Sequence, residues 1–322
     1  MTNNRKKKLM WQLPFLALLI VGTVLIIRQQ QSMPYQHNKG FVFGTVYSVT
    51  YQAPSDLQAE IEAELKKVDM EFSMFNDSST VARINRGEKV KTGPMYDEVY
   101  KLAQTVTRET DGAFDITVAP LVNAWGFGFK HEQMPTRRQV DSLLKIRNQQ
   151  DFAAIAKGYG SDVIARLLRR HDIQNFMVEI GGEIVTQGVS DKRLPWKIGV
   201  TKPTDDSLNV GGELQTVLNV TDIAMATSGN YRNFYYKGKR KYAHTIDPKT
   251  GYPVQHSILS ATVLTSTCMR ADAYATAFMV MGFERAQKVL ERNPDLMAYI
   301  IYDDKGENKV WYSPSLKDKI AE

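Results

Sequence analysis

The run from Met269 to Gly282 constrains this chain more than any other stretch of its sequence. It reads MRADAYATAFMVMG, so residues that favour helices dominate, and a glycine stands where a helix would end. The apolar side chains of such a helix have to pack against a core. Its single acid, Asp272, is followed four residues later by Thr276. That spacing places a carboxylate and a hydroxyl on one helix face, one turn apart.

Asp272 has two interpretations. A buried carboxylate is costly unless something pairs with it, and a hard cation such as Mg²⁺ is one candidate because carboxylate and hydroxyl oxygens suit it. Alternatively, Asp272 interacts with the dipole at the start of the helix, and Thr276 bonds back to its own turn. Taken alone, the run favours the structural interpretation, so other parts of the chain have to decide.

Composition narrows the class of protein. With 322 residues, 43% of them hydrophobic and 24% charged, the chain has room for one large domain or two small ones. The net charge of +6 is concentrated at the N-terminus, which carries five basic residues and no acid before residue 31; without these five, 36 basic residues face 35 acidic ones. The body therefore lacks the basic footprint of a nucleic-acid-binding protein. A single cysteine, Cys268, excludes an internal disulfide and favours a small buried residue.

The N-terminus predicts a membrane anchor. Residues 1–8 form a basic tail, and residues 9–27 are an apolar run interrupted by Gln12 and Pro14. A helix of that length spans about 28 Å, roughly one hydrocarbon core. The preceding cations predict a cytoplasmic N-terminus and an exported body. A cleaved signal peptide is the alternative, but no small-x-small cleavage pattern follows the run. Residues 28–40 are then a polar tether, and residues 41–322 form the body.

The body is predicted to have an α+β fold, with mostly antiparallel or mixed sheets and flanking helices. Amphipathic patterns predict helices at residues 56–75 and 95–109, and residues 41–51 are predicted to form one strand. In the second half, short apolar segments alternate with short turns, a pattern typical of antiparallel pairing.

Two segments have the composition of a ligand site. In TDGAFDITVAPLVNAWGFG, small residues next to Asp115 allow a ligand to approach the backbone, and Phe114 or Trp125 is suited to stacking on an aromatic ring. Alternatively, Asp115 caps a helix and Trp125 lies in the core. In DFAAIAKGYG, Lys157 lies at a helix start that favours an anion, although neither GxxxxGK[ST] nor GxGxxG is present. The alternative is a tight strand-to-helix turn with a solvated lysine.

Two further segments complete the set. The glycine pair in VEIGGE indicates a bulge or a close backbone approach, and its structural use is favoured. TSGNYRN is followed by YAHTIDPKTG, in which residues 247–251 are predicted to form a turn. His244 precedes that turn; it is either structural or a general base or acid.

These segments, in this order, resemble the FAD:protein FMN transferases, the ApbE-type flavin transferase family, over residues 40 to 303. Each motif is weak by itself, and their order makes the resemblance specific. The motifs are FGT (43–45), TDGAFDITVAPLVNAWGFG, DFAAIAKGYGSD, VEIGGEI, TSGNYRN, HTIDPKTGYPV and ADAYATAFMVMG.

The resemblance implies a reaction and a set of site residues. Such enzymes split FAD between its phosphates, attach FMN through a phosphoester to a Thr or Ser of a target protein, and release AMP, using Mg²⁺. The implied metal ligands are Asp272, Thr276 and the backbone carbonyl of Ala154, and His244 is expected to assist deprotonation of the acceptor hydroxyl. The implied FAD-binding residues are Phe43, Phe75, Ala113, Phe114, Asp115, Asp151, Lys157 and Ile246.

The resemblance also implies partners and a location. Acceptors in this family are typically subunits of membrane redox pumps, which suggests a bacterial inner membrane with the catalytic domain on the periplasmic side. Many relatives are lipoproteins; here the lipobox cysteine is absent and the N-terminal helix would serve as the anchor. Three other functions are alternatives to FMN transfer: an FAD pyrophosphatase yielding FMN and AMP, a flavin-binding protein without transfer, and an anchored solute-binding module. A transferase needs room for a protein segment near His244, whereas a pyrophosphatase needs a water there.

Overall fold

The computed structural model describes residues 3–128, 134–146, 148–203, 213–230, 234–237, 240–255 and 257–321. The helices are α1 (Asn3–Ser32), α2 (Gln58–Phe72), α3 (Thr80–Asn85), α4 (Pro94–Glu109), α5 (Ala119–Ala124), α6 (Arg137–Leu143), α7 (Ala153–Arg170), α8 (Cys268–Met281) and α9 (Phe283–Arg292). The strands are β1 (Tyr35–Val42), β2 (Thr45–Gln52), β3 (Phe176–Ile180), β4 (Glu183–Gln187), β5 (Trp196–Thr201), β6 (Leu214–Val220), β7 (Ile223–Gly229), β8 (Phe234–Lys237), β9 (Arg240–Ala243), β10 (Ile258–Thr265), β11 (Met297–Asp304) and β12 (Glu307–Tyr312). Short 3₁₀ helices lie at Ile116–Val118 and Pro314–Lys319.

One large sheet organises the chain. Eight strands follow the order β1-β2-β3-β4-β7-β10-β11-β12, and each neighbouring pair is antiparallel. Strands β5 and β6 pair separately, as do β8 and β9. Helices pack against this sheet, so the prediction of an α+β fold with antiparallel strands and flanking helices is confirmed.

The prediction of a single strand over residues 41–51 was wrong. The segment is part of a hairpin in which β1 and β2 meet at Phe43 and Gly44, with Val42 opposite Thr45. Both turn residues have positive φ, 53° and 74°. A two-residue hairpin turn with positive φ at both residues has a twist that matches the twist of the flanking strands. Glycine at the second position adopts positive φ without steric cost. The continuous run of Val, Tyr and Thr concealed this turn.

The two faces of the sheet are covered differently. Helices α7 and α8 pack on one face, where nearly every side chain of α8 is buried, including Tyr274 and Phe278. The β5–β6 hairpin covers the other face, with Trp196 and Ile198 in a core that includes Tyr299 of β11. A helix that is apolar all round requires burial on all sides, which is why α8 lies between the sheet and α4 and α7.

The N-terminal segment is helical, as α1, from Asn3 to Ser32. Between residues 13 and 25 its large apolar side chains are exposed, for example Leu18 and Leu25. Among the helices that the structure describes, none combines the length and the apolar character needed to cross a membrane. Strand β1 begins at Tyr35, within the stretch expected to be a tether. The anchor at residues 9–27 and the division into tail, tether and catalytic domain stay predictions.

Candidate active site

A cavity of about 370 Å³ lies between α7, α8 and the segment that follows α4. Small-molecule sites typically fall in the range of about 300–1,000 Å³. The cavity brings together residues from Met74 to Val280, which are 206 positions apart in the chain (280 − 74). The sequence-predicted residues on its wall are Phe75, Ala113, Phe114, Asp115, Asp151, Ala154, Lys157, His244, Ile246, Asp272 and Thr276.

Phe43 is the predicted residue that does not line this cavity. It is partly buried against the core. Its ring lies on α7, where a Cβ added to Gly160 would come within 2.8 Å of the ring. The hairpin turn directs this side chain onto the helix, so the structure assigns Phe43 a packing contact.

A charged cluster occupies the wall where α7, β4 and α8 meet. The Lys157 ammonium lies 2.7 Å from Glu183 Oε1 and 3.9 Å from Asp272 Oδ2. Burial lowers the pKa of Lys157, but the negative charges of Asp272 and Glu183 outweigh it, and the net pKa is raised. Lys157 therefore stays protonated and offers a fixed positive charge to an anionic ligand.

Asp272 is held where α8 meets α7. Its carboxylate, in a side chain only 3% exposed, accepts a hydrogen bond of 3.1 Å from the backbone N–H of Gly158. Burial raises the pKa of Asp272, and the Lys157 ammonium partly offsets that effect. One turn later, the hydroxyl of Thr276 lies 3.2 Å from the hydroxyl of Ser228 on β7. The predicted spacing of carboxylate and hydroxyl on one face is confirmed, and both face the cavity.

Three residues expected to hold a divalent cation line this part of the cavity: Asp272 and Thr276 of α8 and Ala154 of the neighbouring helix α7. Carboxylate, hydroxyl and carbonyl oxygens are ligands that Mg²⁺ accepts. Within the described residues, no group of three or more His, Cys, Asp or Glu is arranged for a metal ion.

Asp115 and Asp151 both bind the backbone of their own loops. Asp115 Oδ1 accepts hydrogen bonds from the N–H and the hydroxyl of Thr117, at 2.8 and 2.7 Å, and thereby caps the 3₁₀ helix. The capping interpretation of Asp115 is thus confirmed. Asp151 Oδ1 accepts from the N–H of Ala153 at 2.8 Å, and burial raises its pKa. The N–H of Asp151 also donates to the carbonyl of Ile116, which ties the two loops together.

Trp125 lies in the core, as one of its two interpretations had it. Only 4% of Trp125 is exposed, and its indole N–H donates to the Gly251 carbonyl at 2.7 Å. That bond joins the wall segment to the predicted turn at residues 247–251, where the N–H of Gly251 donates to the Asp247 carbonyl. His244 lines the cavity just before this turn, with its ring 6.4 Å from that of Phe127.

Glu183 is the main residue that sequence reasoning missed. Its motif was interpreted as structural, and Gly181 and Gly182 indeed form a turn with positive φ, 64° and 102°. This turn joins β3 to β4 with Ile180 opposite Glu183. Two glycines between apolar strands are a hairpin signal, which predicts the turn but not the ion pair.

Thr227 and Ser228, from the TSGNYRN motif, also line the cavity, while residues 231–233 of that motif lie outside the described part of the chain. Cys268 is fully buried and burial raises its pKa, so the predicted small buried residue is confirmed.

Fold and site together define an α+β protein with one cavity that combines the Lys157 ammonium, acidic side chains and an apolar wall. Residues 43–301 match the ApbE family, and the chain belongs to that family. The FAD:protein FMN transferase of Vibrio cholerae is 36% identical over 314 residues, which cover 88% of this chain and 92% of that protein. The enzyme of the same name from Escherichia coli K12 is 32% identical over 294 residues, covering 83% and 82%. The structure of the flavin transferase ApbE from Vibrio cholerae superposes with a TM-score of 0.80 at 33% identity, covering 89% of this chain and 99% of that one.

Proposed function

We propose that this chain is an FAD:protein FMN transferase, which moves FMN from FAD to a hydroxyl group of a target protein and releases AMP. Family membership supports the reaction, since relatives of that name share 32% and 36% of their residues with it over most of both chains. The observation that carries the proposal is the pairing, in one cavity, of the Lys157–Glu183–Asp272 cluster with an apolar wall.

The two ends of the cavity suit the two parts of FAD. Apolar side chains of Phe114, Val118, Val122 and Phe127 offer contact area to the flavin ring system. Lys157 offers a charge-assisted hydrogen bond to a pyrophosphate oxygen. In this arrangement the flavin lies along the segment from residue 113 to residue 128, and the phosphates lie at the start of α7 and beside α8.

A divalent cation belongs to the proposal. Asp272, Thr276 and the carbonyl of Ala154 would hold Mg²⁺, which, when bound, neutralises charge on the pyrophosphate. Lys157, 3.9 Å from Asp272, would contact the same anionic ligand. Asp272 is buried, so its negative charge depends on stabilisation by the Lys157 ammonium and the bound cation. Removing either positive charge would therefore destabilise the Asp272 carboxylate.

The transfer step balances without a further reactant. The oxygen of an acceptor Thr or Ser attacks the phosphorus on the FMN side of FAD, the P–O bond to the AMP phosphate breaks, and AMP leaves with the bridging oxygen. His244 accepts the proton of the acceptor hydroxyl. Lys157 stabilises negative charge on the phosphoryl oxygens as it develops. The product is a protein with FMN in phosphoester linkage.

The N-terminal anchor and the acceptor belong to the same proposal. The apolar side chains that α1 exposes between residues 13 and 25 suit a lipid environment. An anchored enzyme on the periplasmic side of a bacterial inner membrane would meet the flavin domains of membrane redox pumps. Membrane fractionation checks the anchor: the full chain should pellet with membranes, and a chain starting at Met33 should not. A full chain that stays in the supernatant would contradict it.

The transferase assay uses the purified full chain, FAD, MgCl₂ and an unmodified pump subunit of the kind that carries covalent FMN when mature. A flavin-fluorescent band at the size of that subunit, with the mass increase of one FMN residue, is expected. Asp272→Ala should abolish it, whereas Asp141→Ala, an exposed acid on α6, should not. His244→Ala should slow transfer more than it weakens FAD binding. An Asp272→Ala variant with unchanged activity would contradict the metal assignment, and FMN released free in solution would indicate a pyrophosphatase.

A further inference from the structure

We propose that Asp162 is a positioning residue: its carboxylate fixes the first turn of α8 to α7 and thereby sets the place of Asp272 and Thr276 in the cavity. Asp162 lies on α7 and does not line the cavity itself. The inference rests on the proposed function in one respect, namely the importance of where those two side chains stand.

The contact between Asp162 and α8 uses both carboxylate oxygens. Oδ1 accepts the N–H of Cys268 at 2.8 Å, and Oδ2 accepts the N–H of Met269 at 2.9 Å. These are among the N–H groups that a helix start leaves without a partner in its own helix. The N-cap residue Thr267 makes no side-chain capping bond. Asp162 therefore supplies the cap from a neighbouring helix, 106 positions earlier in the chain.

A second contact on the same face of α7 continues the arrangement. Gly158 lies one turn before Asp162, and its N–H donates to Asp272 Oδ2. A Cβ at Gly158 would lie 2.4 Å from the Cys268 carbonyl oxygen, so the two helices approach as closely as their backbones allow. Residues four apart on a helix share one face. Gly158 and Asp162, on one face of α7, thus contact α8 both at its first turn and at Asp272.

This way of capping a helix is not what stability alone requires. Ser, Thr or Asn at the N-cap position caps a helix through the N–H of its second or third residue without burying a charge, and Thr267 already occupies that position. Asp162 is only 5% exposed, and burying a carboxylate is costly. Two hydrogen bonds to one planar carboxylate fix the orientation of α8 relative to α7 as well as the distance between the two helices. Since α7 also carries Ala154 and Lys157, the Asp162 contact holds both halves of the site in one geometry.

The test is Asp162→Asn, which keeps the side-chain size but turns an NH₂ donor towards one of the two helix N–H groups. Mg²⁺ titrated into the FAD-bound enzyme should bind about 10–100-fold more weakly, the usual effect of losing a residue that orients a metal ligand. The Mg²⁺ concentration for half-maximal FMN transfer should rise by the same factor. Asp141→Asn, which removes an exposed acid, should leave both values unchanged.

A stability-matched control separates positioning from general destabilisation. Ile198→Ala empties part of the core between the β5–β6 hairpin and the sheet, on the face opposite α7 and α8, and should lower the melting temperature without altering Mg²⁺ affinity. Equal Mg²⁺ affinities for Asp162→Asn and Ile198→Ala would overturn the inference. A crystal structure of Asp162→Asn decides independently of the metal: Asp272 and Thr276 should shift relative to Lys157, and unchanged positions would also overturn it. A wild-type enzyme without Mg²⁺ affinity would count against the proposed metal site alone.

Discussion

Gly158→Ala tests the contact on which the site geometry depends. In the structure, the added Cβ would lie 2.4 Å from the carbonyl oxygen of Cys268, 2.7 Å from its carbonyl carbon and 2.8 Å from the nitrogen of Met269. All three are backbone atoms, so no side chain can rotate away. Ordinary contact begins at 3.4 Å, and α8 therefore has to move away from Gly158 by about 1 Å.

The expected magnitudes differ for stability and activity. Overpacking of this kind costs about 1–3 kcal/mol, and alanine returns up to about 1 kcal/mol through its higher helix propensity. The free energy of unfolding should therefore fall by about 0–2 kcal/mol. Activity should fall further, by about 100-fold in kcat/KM, because a displacement of about 1 Å moves Asp272 and Thr276 relative to Lys157.

The assay for Gly158→Ala is the rate of FMN transfer at varied FAD concentration, together with urea unfolding. Gly160→Ala is the matched control, since it makes the same substitution two residues further along α7. There the Cβ meets only side-chain atoms, of Phe43 at 2.8 Å and Ile180 at 3.2 Å, which can adjust. Gly160→Ala should stay near wild-type activity. If Gly158→Ala stays there too, close packing of α7 and α8 does not set the site geometry.

Two further predictions concern charge. Glu183→Gln removes the carboxylate that lies 2.7 Å from the Lys157 ammonium, so that the ammonium is no longer held in position. Steady-state kinetics should then show kcat/KM for FAD lowered about tenfold. An unchanged kcat/KM would contradict the role of the Lys157–Glu183 pair. Burial raises the pKa of Asp162 from 3.8 to about 6, with backbone hydrogen bonds and Arg166 lowering it and Glu98 raising it. Between pH 3.8 and 6 the folded state then binds more protons than the unfolded state, so this group's contribution to stability falls by about 3 kcal/mol as pH rises through that window. Urea unfolding from pH 4 to pH 7 should show the difference between wild type and Asp162→Asn shrinking accordingly, and a constant difference would refute it.

Local patterns predicted much of the fold. Helix α8 and the antiparallel second half could be predicted because apolar periodicity and turn residues act over a few positions. The hairpin at Phe43 and Gly44 could not, since its strands share one continuous run of strand-forming residues. Asp115 shows the limit of a single residue: capping and ligand contact have the same sequence signature, and the structure shows the cap.

The site residues also differ in how far the sequence could predict them. Asp272 and Thr276 could be paired from the sequence because one helical turn separates them. Glu183 and Asp162 could not be assigned, since their partners, Lys157 and the start of α8, come from other elements and in the second case from 106 positions away. No short-range pattern encodes such contacts. They depend on how closely α7 packs against α8 and on the register that places β4 beside α7.

The central claim is that FMN leaves FAD for a protein hydroxyl. The most direct measurement follows, in one reaction, FAD consumed, AMP released and FMN bound to the unmodified pump subunit, the last by mass spectrometry of the peptide. One AMP and one protein-bound FMN are expected for each FAD, with the FMN in phosphoester linkage to Thr or Ser. AMP accompanied by an equal amount of free FMN, with an unmodified subunit, would contradict it.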